Sequence, residues 1–420
     1  MSQPPIPRSP DMAEASGRKS WHILVICAFA AFADGYDIQA LGLAIPRMAA
    51  HFQMEPAAFT LATSTSLIGM AIGALFLSPL GDRYGRERTL AAMLGMIALT
   101  TFAIVIATTP FSIAIYRFFS GLGLGAAVPI AVALTSDNVS DRHRATLITI
   151  MVSCTGVGAF AAGQLAPLLD SLGDWKAIFG LGAILPLIGA VLAWIIAPAR
   201  IGAPARTGAQ QPQGQAMAER PPKASVAVLF ARPLCFRTMV ASGLFWFNLM
   251  MNYSIISWLP TLLHGAGWDM AAAARATGLI SIGGIVGGLA ISMLADRGKA
   301  IRALFGAYGV AAAALATFSL IPADKALWTA LLLLVGLSAF GAQLALSAIV
   351  AAYYPSAVRG TAIGWSSGFG RSGAFIGPII IAAFMTSGLS SANILTLMMV
   401  PMLFCLMGVA LLPYALRPSA

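Results

Sequence analysis

About a dozen apolar segments, each roughly 20 residues or longer and almost free of charge, constrain the fold of this chain more than any other feature. An α-helix of about 20 apolar residues spans the hydrocarbon core of a bilayer. Only 10% of the residues are charged and 59% are apolar, so the charges are too few to cover a soluble surface. The sequence therefore predicts an all-α integral membrane protein whose main solvent is the lipid bilayer.

The apolar segments predict twelve transmembrane helices in two groups of six. They lie at about 21–46, 57–80, 89–109, 111–138, 145–169, 176–198, 235–263, 272–295, 300–321, 326–354, 358–386 and 391–415. The predicted division is an N-terminal tail (1–20), a six-helix bundle (21–198), a polar linker (199–232), a second six-helix bundle (233–416) and a short tail (417–420). The first apolar segment is too long for a signal peptide and has no clear cleavage site, so we expect it to remain as a span.

The basic residues are distributed unequally between the two sides of these helices. With an even number of spans, both termini lie on the same side. Of the 25 Lys and Arg residues, those predicted on the other side are Arg47, Lys176, Arg275 and Lys325. Because cytoplasmic loops of membrane proteins are enriched in Lys and Arg, we predict that both termini and the linker are cytoplasmic.

The formal net charge of +10 does not indicate a nucleic-acid partner, because the chain has no basic run and no nucleic-acid-binding module. The four cysteines lie in or beside apolar spans without the spacing of a metal site or a disulfide framework. No phosphate-binding loop, dinucleotide fingerprint or nucleophile–base pair appears. We therefore expect neither an enzyme nor a bound cofactor or metal, and any active transport would draw on an ion gradient.

Five ionisable residues fall within predicted spans, where a charge costs about 2.5–3.5 kcal/mol on insertion scales. They are Asp34, Asp37, Arg117, Asp137 and Arg371. Functional residues of a membrane protein are expected among such groups, because a buried charge without a role is disfavoured.

Asp34 and Asp37 are three residues apart in the first span, so they share a helix face. Two carboxylates so close together and away from water cannot both ionise at low cost, which favours a proton on one of them. A carboxyl group that takes up and releases a proton suits a proton-coupled carrier, and both residues could also contact a substrate. The alternative is that one of them only forms a salt bridge with a neighbouring helix.

The buried arginines and Asp137 each allow two interpretations. Arg371, in Gly-Phe-Gly-Arg-Ser-Gly, could bind a substrate carboxylate through two hydrogen bonds or neutralise a first-span aspartate. Arg117, near the outer end of the fourth span, could bind substrate or reach the membrane interface. Asp137, near the cytoplasmic end of the same span, could take part in proton coupling or a gate ion pair, or be a solvated loop charge.

A basic loop with two glycines joins the second and third spans and recurs in degenerate form six spans later. Its predicted conformational residues are Gly81, Asp82, Arg83, Gly85 and Arg86, and those of the second copy are Asp296 and Arg297. This repeat predicts two similar six-helix halves related by an axis along the membrane normal, with the binding site between them.

Taken together, these motifs resemble the major facilitator superfamily and, within it, the aromatic acid:proton symporters. The segments that carry the resemblance are Gly81–Arg86, Asp34–Asp37, Arg117–Pro129, Trp258–Thr261 and Tyr354–Gly373. The chain departs from the usual pattern at Ser78, where the loop motif normally begins with glycine, at Ile130, where asparagine is usual, and at Asp137, where glutamate is usual.

The resemblance implies a monomeric multi-pass protein of the bacterial inner membrane that imports a hydroxybenzoate-like, protocatechuate-like or vanillate-like acid anion together with protons. It implies that Asp34, Asp37, Arg117 and Arg371 are needed for uptake, and Asp137 by weaker analogy. Trp246 and Tyr253 are candidates for an aromatic wall around the ring, although aromatic residues at helical spacing more often serve packing, and Gln343 could bind ring hydroxyls.

Two other functions are compatible with parts of this pattern. One is a proton-coupled exporter of drugs or metabolites with the same fold, although the fifth span has a proline only at its outer end, Pro167, where such exporters often carry a Gly-Pro motif. The other is a membrane sensor that binds aromatic acids without transporting them. A sensor would need a signalling domain, and the linker is too short and too low in complexity to be one.

Overall fold

A computed structural model describes residues 10–139, 144–196, 226–231, 234–355 and 358–415, and these residues are almost entirely helical. The main helices are α1 (Pro10–Phe52), α2 (Pro56–Leu77), α3 (Arg86–Val105), α4 (Pro110–Asn138), α5 (144–172), α6 (175–196), α7 (Leu234–Gly265), α8 (Met270–Leu294), α9 (Ala300–Thr317), α10 (325–351), α11 (Arg359–Thr386) and α12 (391–415).

The number of membrane crossings follows from helix lengths and from two breaks in the backbone. Among the described residues, ten helical stretches are long and apolar enough to cross a membrane. Two of them, Thr146–Ile195 and Met270–Thr317, contain 50 and 48 residues, which at about 1.5 Å per residue is enough for two crossings each. Asp174, with φ 59°, breaks the first, and Gly298, with φ 74°, breaks the second. The described chain therefore crosses twelve times, and the predicted fold class is confirmed.

Close helix pairs recur in equivalent places in the two halves. In the first half α1 packs on α5 and α2 on α4; in the second half α7 packs on α11 and α8 on α10. Glycines allow this approach: a Cβ added to Gly35 would lie 1.8 Å from the carbonyl oxygen of Thr155, and one added to Gly287 would lie 1.7 Å from that of Leu337. The same helix pairing, displaced by six helices, supports the internal repeat.

Because the number of crossings is even, α1 begins and α12 ends on one side, which we call the terminal face; the other side is the opposite face. Helix α1 begins at Pro10, so part of the predicted N-terminal tail is helical. The end of the predicted linker forms a short helix, Val226–Leu229. Residues 1–9, most of the linker (197–225) and the predicted tail 417–420 lie outside the described residues.

Candidate functional site

A buried ion pair joins α1 to α4 in the middle of the first half. The Nη1 atom of Arg117 donates a hydrogen bond of 2.6 Å to Oδ2 of Asp37. The side chains are 2% and 0% exposed. The hydroxyl of Thr101 on α3 donates to the other carboxylate oxygen at 3.2 Å, and Arg117 Nη2 donates to the hydroxyl of Ser66 on α2 at 3.1 Å. Arg117 therefore points into the protein, and the alternative in which it reaches the membrane interface is not what the structure shows.

Asp34 has different surroundings from Asp37, although both lie on the same helix. It is 5% exposed, and its Oδ1 atom has no hydrogen-bond partner among the described residues. Asp34 lies within electrostatic reach of Asp37 and, across the interface between the halves, of Arg371 on α11. The phenol of Tyr253 on α7 is subject to the charges of Arg371 and Asp34. These three groups bring a carboxyl, a guanidinium and a hydroxyl together from both halves.

Arg371 is the cation of this second group. It is half-buried, and within the described part of the chain it forms neither a hydrogen bond nor an ion pair. Arg117, by contrast, already has Asp37 as its partner. A guanidinium whose donors are uncommitted can bind a carboxylate through two parallel hydrogen bonds. Of the two mid-span arginines, Arg371 is therefore the one that can accept an anion without first breaking an internal ion pair.

A cleft lies beside these groups, between α1, α2, α4 and α7. Its polar wall comes from Thr63, Ser66, Arg117, Tyr253 and Ser257, and its apolar wall from Ile38, Leu41, Gly42, Leu67, Met70 and Ile256. A mostly apolar lining with a few convergent polar groups is typical of small-molecule sites, but with a volume of about 20 Å³ this cleft has room for only about one water molecule. Because α7 belongs to the second half and the other three helices to the first, the cleft lies between the halves.

Contacts between the halves run from the middle of the helices to the opposite face. A Cβ added to Gly42 of α1 would lie 2.4 Å from the carbonyl oxygen of Ile256 on α7, and one added to Gly163 of α5 would lie 2.7 Å from a carbonyl oxygen of α8. At the same level, Gln164 Nε2 donates to the carbonyl oxygen of Arg275 at 3.2 Å. The described helices therefore pack tightly across the interface on the opposite-face side of the charged groups.

The family of the chain follows from comparison with known proteins. The family model described as Major Facilitator Superfamily matches residues 27–378. The chain belongs to the Major Facilitator Superfamily. It is therefore a membrane transporter and not an enzyme, and the predicted family is confirmed.

Two curated relatives in this superfamily extend over most of the chain. A gallate transporter of Pseudomonas putida is 30% identical, with 92% of this chain and 88% of the relative covered. A 4-hydroxybenzoate transporter of Pseudomonas aeruginosa is also 30% identical, with 91% and 90% covered. Among solved structures, a bacterial homolog of the human lysosomal transporter Spinster, in an inward-facing and unoccupied conformation, matches with a TM-score of 0.73 at 15% identity over 98% of each chain. That likeness concerns the fold alone.

In this superfamily member, the basic loop after α2 is tied to the end of α4. Gly85, with φ 95°, makes the turn into α3, a backbone conformation that favours glycine. Arg86 donates to Asp82 at 2.9 Å and to the carbonyl oxygen of Ala133 at 3.0 Å, and it forms an ion pair with Asp137. Asp137 thus lies at the terminal face, 57% exposed, and not beside Asp37. This contact favours the gate ion pair among the interpretations of Asp137.

The remaining residues of the two loop motifs are largely solvent-facing. Arg83 is exposed, with its guanidinium 5.3 Å from the ring centre of Tyr84, whereas Gly81 is buried. In the second copy, Asp296 and Arg297 are both exposed. Gly298 has a positive φ there as Gly85 has in the first copy, which agrees with a degenerate repeat of one turn.

The predicted ring-binding residues are divided between the cleft and the helix packing around it. Tyr253 lines the cleft. Trp246, half-buried on α7, donates its indole N–H to Ser372 of α11 at 3.0 Å, next to Arg371. Gln343 on α10 does not line the cleft, and its Oε1 atom has no partner among the described residues.

Residues around the ion pair include several that the sequence analysis missed. Ser66 and Thr101 contact the ion pair, and Thr63 and Ser257 line the cleft. Serine and threonine within helices usually bond to their own backbone, so nothing in the sequence distinguishes these four. Ile130, which replaces the usual asparagine, is 2% exposed and faces Gly81 of the basic loop, so it does not line the cleft.

Proposed function

We propose that this protein imports an aromatic carboxylate across the bacterial inner membrane in symport with protons, by alternating access. The names of the relatives support the substrate class, because gallate and 4-hydroxybenzoate are both hydroxylated aromatic acids. The unequal distribution of Lys and Arg supports an orientation with the terminal face in the cytoplasm.

The observation that carries this proposal is the uncommitted guanidinium of Arg371 at the interface between the halves, within electrostatic reach of Asp34 and Tyr253. Arg371 binds the substrate carboxylate, and the hydroxyl of Tyr253 orients it. The hydroxyl-bearing cleft beside Tyr253 and Arg117 has a volume of about 20 Å³, so it has to widen to receive the ring. Arg117 has a different role, because its guanidinium is already committed to the buried ion pair with Asp37.

Energetics require an accompanying proton. An aromatic carboxylate is an anion at neutral pH, and moving it inward against an inside-negative potential costs about 2.3 kcal/mol per 100 mV. One proton cancels the charge, and a second would let the potential assist import. Asp34 and Asp37 are the proton sites of this proposal, because both are buried mid-span carboxyl groups.

Alternating access agrees with the packing of the halves. Tight contacts at Gly42, Gly163 and Gln164 lie on the opposite-face side of the site, which supports access from the terminal face. In the proposed orientation this is the inward-facing state, and outward opening separates α1 from α7 and α5 from α8.

The test is uptake by proteoliposomes under an inward proton gradient, with labelled gallate, 4-hydroxybenzoate and benzoate. We expect gradient-dependent accumulation in the wild type and its loss in Asp34→Asn and in Arg371→Lys, which keeps the charge but not the bidentate geometry. Arg275→Lys is the matched control, because Arg275 is exposed at the opposite face and its hydrogen bond with Gln164 uses only its backbone.

Two outcomes of the uptake experiment would overturn the proposal. If no aromatic acid accumulates, and preloaded compounds instead leave the liposomes as protons enter, the protein is an exporter. Binding of an acid to the purified protein without accumulation of that acid would point to a sensor.

A further inference from the structure

The carboxylate of Asp37 receives a hydrogen bond from a helix that contributes nothing to the lining of the cleft. Thr101 on α3 is 0% exposed and donates its hydroxyl to Asp37 Oδ1 at 3.2 Å. Asp37 therefore has one donor on each oxygen: Thr101 on Oδ1 and Arg117 on Oδ2. A hydrogen bond to a carboxylate stabilises the charged form over the protonated form.

Packing fixes the direction of the Thr101 hydroxyl. Threonine is stiff at χ1 because it is branched at Cβ. Its methyl group faces Gly182 of α6: a Cβ added to Gly182 would lie 3.5 Å from Thr101 Cγ2 and 3.3 Å from the ring of Tyr36. The hydroxyl of Tyr36 in turn donates to the carbonyl oxygen of Ile178 on α6 at 3.1 Å. Helix α6 thus packs against both Thr101 and Tyr36, the residue that precedes Asp37.

The neighbouring residue shows that this contact is specific to one position. Thr100 is only partly buried, and its hydroxyl donates to the carbonyl oxygen of Met96 in its own helix at 2.7 Å. That is the ordinary behaviour of threonine within a helix. Thr101 departs from it by bonding to a side chain 64 residues away in sequence.

We propose that Thr101 is a positioning residue that sets the pH at which Asp37 takes up its proton. The inference rests on the proposed proton coupling and adds to it a residue that touches neither the substrate nor the cleft. Charged or titratable groups that interact with Asp37 include Asp34 and Tyr36 on its own helix and Arg117 on α4. From α3 and α2, the hydroxyls of Thr101 and Ser66 contact the ion pair.

The direct test is an infrared titration of the purified full-length protein in lipid. To isolate the C=O band of the protonated Asp37 carboxyl, the infrared spectrum of each protein is compared with that of the same protein carrying Asp37→Asn, and the difference spectrum is followed against pH. In Thr101→Val, which has nearly the same shape without the donor, we expect the midpoint of this band to move up by about one pH unit. Thr101→Ser, which keeps the hydroxyl, should return the midpoint to within a fraction of a unit of the wild type.

The matched control is Thr100→Val, which removes a hydroxyl that bonds only within its own helix and should leave the midpoint unchanged. If Thr101→Val does not fold, Thr101→Ala removes the same donor without adding a methyl group. An unchanged midpoint in the folded variant, or an equal shift in Thr100→Val, would overturn the inference.

The titration does not require transport, so failure of this inference and failure of the proposed function can be told apart. If the band moves as expected but proteoliposomes show no proton-driven uptake, Thr101 keeps its effect on Asp37 and the symport proposal is wrong. If uptake is proton-driven but its pH profile and the band are the same in Thr101→Val and the wild type, the symport proposal stands and the role of Thr101 is refuted.

Discussion

The buried ion pair between Asp37 and Arg117 allows a quantitative prediction of how substitution of either residue changes the free energy of unfolding. The side chains are 0% and 2% exposed, and the Nη1 and Oδ2 atoms are 2.6 Å apart. Taking about 4 Å between the centres of the two delocalised charges and an effective dielectric constant of about 20, their attraction is about 4 kcal/mol. Removing one partner from a buried pair costs about 3–5 kcal/mol, because the other charge stays buried without compensation.

Arg117→Met and Asp37→Asn should therefore each lower the free energy of unfolding by about 3–5 kcal/mol near pH 8. The double variant contains no uncompensated charge, so we expect it to lose at least about 2 kcal/mol less than the sum of the two single variants. The measurement is unfolding of the purified protein in mixed micelles by titration with sodium dodecyl sulfate, monitored by tryptophan fluorescence.

The same cycle has a pH dependence of known sign. In Arg117→Met, the carboxylate left behind can take up a proton as the pH falls, which removes the buried charge and restores stability. We expect the loss in this variant to shrink as the pH falls, whereas the double variant, which has no such carboxylate, shows no comparable recovery. Additive losses in the cycle, or the same pH dependence in both variants, would refute the assignment of this contact as a buried ion pair.

Three further predictions follow from the packing and the loop. Gly35→Ala would bring a Cβ to 1.8 Å from a carbonyl oxygen of α5, so we expect little folded protein by size-exclusion chromatography in detergent. The control Gly95→Ala, whose Cβ would meet nothing within 4 Å, should give a normal yield of folded protein. Equal yields of the two variants would contradict the close approach at Gly35. Gly163→Leu should separate α5 from α8. A cysteine introduced at the opposite-face end of the cleft should then react more with an impermeant thiol reagent, and unchanged labelling would contradict closure of the cleft at the opposite face. Asp137→Asn removes a half-exposed ion pair with Arg86, so the free energy of unfolding should fall by no more than about 1 kcal/mol. The pH profile of uptake should not change, and a shifted profile would show that Asp137 takes part in proton coupling.

Hydropathy predicted the fold well because the bilayer requires long apolar helices whatever their neighbours are. The predicted first span began at residue 21, but α1 begins at Pro10, since hydropathy locates the apolar part of a helix and not its polar extension. The turns at Gly85 and Gly298 were suggested by glycine in a basic loop, and both have a positive φ. Local chemistry determined these features, so they could be read from the sequence.

The partners of the buried charges could not be predicted in the same way. Ionisable residues within spans are rare enough to mark Asp34, Asp37, Arg117 and Arg371 as functional candidates. The three-residue spacing of Asp34 and Asp37 does not indicate which aspartate pairs with which arginine. That choice depends on the rotation of α1 against α4 and α11, which is determined by backbone contacts such as the one at Gly35.

For the proposed symport, the division of charges within and between the halves provides a route by which a proton would be coupled to an anion. Asp37 and its partner Arg117 both lie in the first half. In the proposed alternating access, this ion pair would move with that half. Asp34 is within reach of Arg371 across the interface, so its electrostatic environment changes with the separation of the halves. An anion bound at Arg371 offsets the cation near Asp34 and adds a like charge, and both effects favour a proton on Asp34. Because Asp34 is also within reach of Asp37, neutralising it removes a repulsion from the buried pair. We therefore propose that Asp34 transmits substrate binding to the charges of the first half.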